Sequence, residues 1–168
     1  MVIDYLSQHP EFVAPLAPEI AAHWGKILPE ETVTSRTAKL EAHLNRDVLP
    51  IAWVAHADGV VLGTAALRRY DLEGREDLSP WLGGVFVREA FRGRGIAAAL
   101  CEEAEAKAWS LGIEKLYLFT IDHQALYTRL GWKNFERATW RGIESTIMFK
   151  SHKIGALPGA IANDHGRS

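Results

Sequence analysis

Apolar residues recur along this chain at two spacings, and the points where one gives way to the other mark its elements. Ala97, Leu100, Cys101, Ala104, Ala108 and Leu111 repeat at helical spacing from Gly95 to Leu111, with Glu102, Glu103, Glu105 and Lys107 assigned to the other face. Gly112 stands where a C-terminal cap belongs. Two earlier helices are predicted, Glu11 to Trp24 and Val33 to Asn45, and a short one from Gln124 to Leu130 is stopped by Gly131. Val2 to Leu6 reads as a first strand. Ile51 to His56 and Val60 to Arg68 flank the turn residues Ala57-Asp58-Gly59 and so form a hairpin. Trp81 to Val87, Lys115 to Thr120, Trp132 to Arg137 and Ile143 to Phe149 complete the strands, and the polar stretch Tyr70 to Pro80 is a loop.

This order places one strand–helix–strand crossover between hairpins. It implies an α+β domain, a mixed three-layer arrangement with six or seven strands in a central sheet and helices on both faces, not a doubly wound sheet. Residues 1–150 form one domain. The tail 151–168 carries Gly155, Pro158 and Gly159 and is expected to be partly disordered. The 168 residues are 48% hydrophobic and 24% charged, which suits a globular protein with a sizeable core. A net charge of −2 argues against wholesale nucleic-acid binding, so any basic site must be local. No apolar run approaches the ~18 residues of a membrane span, and the N-terminus lacks the features of a secretion signal. The single cysteine, Cys101, excludes an internal disulfide and falls on the apolar helix face, where packing is its expected role. A cytoplasmic location fits. The seven histidines show no ligand spacing, and no metal is expected.

The segment from Val85 to Ala97, VFVREAFRGRGIA, changes the picture. An apolar strand runs into a basic, glycine-studded turn that opens the long helix. Backbone N–H groups and the positive end of the helix then converge on one spot, which suits a pyrophosphate. Gly93 and Gly95 leave room for phosphate oxygens, and Arg92 and Arg94 add charge. Gly93-x-Gly95-x-x-Ala98 also fits a dinucleotide-binding fingerprint. That reading requires an acid at the end of the next strand; Glu114 precedes the strand and Asp122 comes late, which counts against it. An RNA-binding basic tail is also disfavoured, since the run lies between a strand and a helix.

Arg92-Gly93-Arg94-Gly95-Ile96-Ala97, followed by Leu126-Tyr127-Thr128-Arg129-Leu130-Gly131-Trp132, resembles the two recurrent segments of the GNAT superfamily of acetyl-CoA-dependent N-acetyltransferases. The resemblance spans about Ile51 to Lys150, with residues 1–50 in the family's variable, acceptor-facing region. It implies acetyl-CoA as donor, with the amides from Arg92 through Ala97 on the pyrophosphate. It further implies pantetheine along Val85, Phe86 and Val87, and Tyr127 as general acid. The Gly83-Gly84 pair suits a bulge that separates this strand from its neighbour. The implied acceptor is a small-molecule or peptide amine, and related proteins frequently pair as homodimers.

Two departures from the family pattern matter. Trp81 to Val87 carries no acid to take the amine's proton, leaving Asp122, His123, an acid in the Tyr70 to Pro80 loop, or a water chain. No asparagine follows Thr120, where the family often has one touching pantetheine. The missing acid also admits an alternative: a CoA-binding sensor or partner module without catalysis. Asp71, Glu73, Glu76 and Asp77 are either a solvated loop or a rim that attracts a cation. Trp24, Trp53, Trp81 and Trp132 lie in apolar contexts and are expected in the core, with Trp24 a candidate for the acceptor wall.

Overall fold

The computed structural model describes residues 1–152, so the tail beyond His152 lies outside the described residues. Seven strands form one sheet: β1 (Val2–Tyr5), β2 (Ile51–Ala57), β3 (Val60–Arg68), β4 (Trp81–Val87), β5 (Lys115–Thr120), β6 (Lys133–Trp140) and β7 (Ile143–Ser151). Their order across the sheet is β1-β2-β3-β4-β5-β7-β6. Every neighbouring pair is antiparallel except β4 and β5, which run parallel. The helices are α1 (Val13–Trp24), α2 (Val33–Glu41), α3 (Ile96–Ser110) and α4 (Gln124–Arg129), with 3-10 turns at Leu6–Gln8, Pro10–Phe12 and Glu89–Phe91. No helix among the described residues is long and apolar enough to cross a membrane.

Both predicted hairpins are present. Asp58 (φ 51°) and Gly59 (φ 76°) join β2 to β3, and Arg141 (φ 50°) and Gly142 (φ 78°) join β6 to β7. Two successive positive φ values turn the chain with the hand that matches strand twist. β4 behaves differently. Its ladder with β3 shifts register between Thr64↔Phe86 and Ala66↔Gly83, and Gly84 adopts φ 58°. This is the expected bulge. With β5, β4 shares the single pairing Trp81↔Tyr117, and beyond it the two strands part.

Two apolar clusters sandwich the sheet. Leu100, Cys101, Ala104 and Ala108 of α3 pack with Leu82, Leu116, Leu118, Tyr127 and Trp132, while Leu16, Ala17 and Ile20 of α1 pack with Leu40, Val54 and Phe86 on the other side. A third cluster joins Leu72, Leu78, Trp81, Trp140 and Ile147. The 70–80 loop is therefore less polar in its role than in its composition: Leu72 and Leu78 are buried, and the Leu78 carbonyl accepts a 2.6 Å hydrogen bond from Trp81 Nε1. Trp53, Trp81 and Trp132 are in the core as expected, and Trp24 is half-buried against Trp140.

Some boundaries and one side chain differ from the sequence reading. α2 ends at Glu41, and Asn45, expected inside it, instead donates its side-chain amide to the carbonyls of Ala42 (3.0 Å) and Pro50 (2.8 Å). β6 continues to Trp140 because its exposed edge needs no apolar run to stay paired with β7. Glu105, assigned above to the outer face of α3, is buried with 4% exposure. It falls one turn after Cys101, on the inward stripe, and only its partners make that tolerable: Trp132 Nε1 donates at 3.2 Å and Lys150 Nζ at 2.5 Å. Glu105→Ala is expected to cost about 3 kcal/mol in urea unfolding, since the buried Trp132 indole N–H loses its acceptor and the Lys150 ammonium loses its counter-charge, keeping only the Leu130 carbonyl at 2.7 Å. Glu105→Gln retains one acceptor and is expected to cost less.

Candidate functional site

Where β4 and β5 part, a cleft of about 530 Å³ opens. One wall is the unpaired side of β4 at Val85, Phe86 and Val87. Its end is the basic turn: Arg92, Gly93, Gly95, Ile96 and Ala97 all line it. Arg94 does not; its guanidinium sits 5.7 Å from the Phe91 ring centroid, leaving only the residue's place in the turn as expected. Arg92 Nε donates to the Val87 carbonyl at 3.0 Å, anchoring the turn to the strand. Gly93 and Gly95 have φ 77° and 76°, and a Cβ on either would project into open space. Gly95 is the N-cap of α3, and no side chain caps it. The first-turn amides therefore keep free N–H groups beside the cleft, as an anion site requires.

Tyr127 faces this space from α4. Its ring is held edge-on to Trp132 at 6.3 Å, and the residue is 7% exposed. Burial pushes its phenol above the usual value of 10, so the hydroxyl stays protonated at neutral pH. Among the described residues the hydroxyl has no hydrogen-bond partner, and it is not sealed from the cleft. Cys101 is fully buried behind it, and burial pushes the thiol up to about 12, which fits packing and not nucleophilic chemistry.

Two residues in the cleft, His23 and Arg129, were not identified from sequence. His23, at the end of α1, packs its ring 5.7 Å from Phe86 and 4.9 Å from Trp24; burial, then the charge of Arg92, lowers its pKa. Its helix is distant in the chain from both motifs, so nothing local marks it. Arg129, the second guanidinium on the cleft after Arg92, lies inside the second motif but carried no role there. His123 lines the rim and is exposed, 3.4 Å from the exposed carboxylate of Asp122. Thr120 uses its hydroxyl to accept the His123 N–H at 3.0 Å, holding the turn before α4.

The loop acids divide sharply. Asp77 pairs with Arg75, and Glu73 with Arg141, on the surface. Asp71 instead lies against the β4 bulge: a Cβ on Gly83 would fall 2.6 Å from its Oδ2, and one on Gly84 would fall 2.7 Å from Arg68 Nη2. Arg68 Nη1 donates to Asp71 Oδ1 at 2.8 Å, and Arg68 Nε donates to His43 Nε2 at 2.9 Å. His43 Nδ1 is 2.6 Å from the Lys39 carbonyl, so the neutral ring donates there while accepting from Arg68. The two glycines thus do more than bend β4; they make room for a buried polar chain that ends in a carboxylate.

A family model described as "Acetyltransferase (GNAT) family" matches residues 17–132, from the middle of α1 to the start of β6. The chain belongs to that family. No curated protein matches this GNAT chain in sequence. Several solved structures share its fold. An aminoglycoside 6′-N-acetyltransferase complexed with coenzyme A aligns at TM-score 0.71 and 18% identity, over 90% of this chain and 97% of its own. The ribosomal-protein-alanine N-acetyltransferase from Brucella melitensis aligns at 0.67 and 19%, over 90% of this chain and 100% of its own. The putative acetyltransferase yncA from Salmonella typhimurium, with its cofactor acetyl-CoA, aligns at 0.68 and 17%, over 94% and 97%. At these identities the similarity is one of fold.

The polar chain has a pH consequence. Burial, then the Arg68 charge, lowers the His43 pKa from 6.5 to about 4. Between those values the unfolded chain binds a proton that the folded chain refuses, so stability falls as pH drops from 6.5 toward 4, by about 3 kcal/mol through this residue. Urea unfolding across that interval is expected to show a slope that is shallower in His43→Gln.

Proposed function

We propose that this GNAT protein transfers the acetyl group of acetyl-CoA to a primary amine by direct attack. The observation that carries the reading is the parted β4–β5 pair. It leaves a strand edge, a basic turn and a protonated, unpartnered phenol around one cavity. The pyrophosphate sits on the amides from Arg92 through Ala97, with Arg92 and Arg129 supplying charge. Arg94 contributes its backbone to the turn rather than a cleft-lining side chain. Pantetheine runs along Val85–Val87 and takes the hydrogen-bonding places that β5 leaves open.

The amine nitrogen adds to the thioester carbonyl carbon, and free N–H groups on β4 stabilise the resulting oxyanion. Collapse breaks the C–S bond, and the leaving thiolate takes the Tyr127 hydroxyl proton; solvent then restores the phenol. The nitrogen must also lose a proton, because an alkyl ammonium with a pKa of about 10.4 carries no free lone pair. We assign that step to Asp71, acting through water. Its carboxylate lies on the bulge itself, whereas Asp122 and His123 are turned to solvent. Both named neighbours of known activity, on an aminoglycoside and on a ribosomal-protein alanine, are N-acetyltransferases, which supports a nitrogen acceptor.

Free-thiol release from acetyl-CoA, followed across a panel of amines, tests the reading. Tyr127→Phe is expected to lower kcat about 100-fold or more with acetyl-CoA affinity unchanged. Asp71→Asn is expected to lower kcat/KM most at low pH, where the amine is most protonated. Tight acetyl-CoA binding with no turnover on any amine would instead favour the sensor reading, and the absence of binding by calorimetry would sink both.

A further inference from the structure

We propose that Asp4, His9 and His56 form a binding site for one divalent transition-metal ion of the zinc class, at the outer edge of the sheet and separate from the acetyl-CoA cleft. None of the three lines that cleft, and β3 stands between their strands and β4. Spacing along the chain gives no sign of the site, because its members come from β1, from β2 and from the bend between two 3-10 turns.

The geometry is convergent. His9 Nε2 and His56 Nε2 both point at one oxygen, Asp4 Oδ2, at 2.9 and 2.7 Å. The three ligand atoms lie within 4.8 Å of one another, and all three side chains are partly buried. In a tetrahedral site with zinc–nitrogen bonds of 2.0–2.1 Å, neighbouring ligand atoms sit ~3.4 Å apart. The two Asp4–histidine distances need to lengthen by only about 0.5 and 0.7 Å. Protons now occupy the space between each Nε2 and the carboxylate oxygen. A bound ion replaces them, with both imidazoles coordinating as neutral rings and water filling the fourth position.

The surroundings hold these ligands in place. Asp4 and His56 are diagonal neighbours on one face of the β1–β2 ladder, where Val2 pairs with His56 and Asp4 with Val54. His9 is fixed at its bend by two backbone bonds, His9 N–H to the Leu6 carbonyl (2.9 Å) and Phe12 N–H to the His9 carbonyl (3.0 Å). Its other ring nitrogen, Nδ1, lies 3.2 Å from Glu11 Oε1. A carboxylate there fixes the Nδ1–H tautomer and leaves the Nε2 lone pair for the metal, the usual outer support of a histidine ligand. The buried Phe12 ring packs 5.2 Å from His9 and 5.4 Å from His56, backing the site with apolar surface. Two imidazoles and one carboxylate select zinc, cobalt, nickel or copper over magnesium or calcium. Such an ion would clamp β1 and the segment leading into α1 onto β2.

Cobalt(II) titrated into untagged, chelator-stripped protein tests this directly. One saturable equivalent with the intense visible bands of four-coordinate cobalt, displaced by zinc, is the expected result. His9→Gln and His56→Gln are expected to abolish it, Glu11→Gln to weaken binding about 10-fold or more, and acetyl-CoA binding to persist in all three. Zinc is expected to raise the thermal midpoint of the wild type and not of the histidine variants. Should the variants fold poorly, X-ray absorption on the wild-type zinc complex must show two imidazoles in the first coordination sphere. Weak octahedral-type spectra, binding unaltered in the variants, fewer than two imidazoles, or no binding would each overturn the proposal.

Discussion

The architecture of the cleft depends on a local failure of pairing. β4 is tied to β3 along its length but to β5 at Trp81↔Tyr117 only. A continuous ladder there would satisfy every backbone group and leave no room for a ligand. The Gly83–Gly84 bulge prevents it by twisting β4 away, and a side chain at either position would collide with Asp71 or Arg68. One feature thus generates an open strand edge, a cavity beside it and the room that the buried polar chain occupies. The unmade hydrogen bonds of β4 are then free for a ligand that brings its own donors and acceptors.

Around that gap, positions are fixed by groups that have little alternative. Arg92 is held to the Val87 carbonyl, which brings the basic turn against the strand it follows. Tyr127 is held by Trp132, itself held by Glu105, which also takes the Lys150 ammonium. That chain of contacts links α3, α4, the start of β6, and β7. On the opposite face, Arg141 at the β6–β7 turn reaches both Glu30 (2.7 Å) and Glu73 (3.1 Å), and Trp24 meets Trp140 edge-on at 5.7 Å. The connection between α1 and α2 is thereby drawn over the far end of the sheet, near the region expected to receive the acceptor.

Much of this was legible in the residues themselves. The long helix, the glycine turn before it and both hairpins follow from periodicity and turn chemistry, which act within a few residues. Gly83-Gly84 announced a bulge because glycine has few other uses inside a strand. What escaped were the interactions whose partners lie far away in the chain. Glu105 looks like a surface acid until Trp132 and Lys150 arrive to accept it inside. Leu72 and Leu78 look like loop residues until Trp81 and Trp140 cover them. The strand's missing acid left several open candidates, and only packing separates Asp71, held on the bulge, from Asp122 and His123 at the surface.

By itself the sequence determined the elements, the crossover that makes the sheet mixed, the basic glycine turn and the short helix that carries Tyr127, because each is encoded in local spacing and backbone preference. Tertiary structure decided which titratable groups meet: His23 with the cleft, His43 with Arg68 and Asp71, Asp4 with His9 and His56. Charge and coordination act through space over a few ångströms, and a chain folded into a seven-stranded sheet sets those distances without regard to the number of residues between its partners.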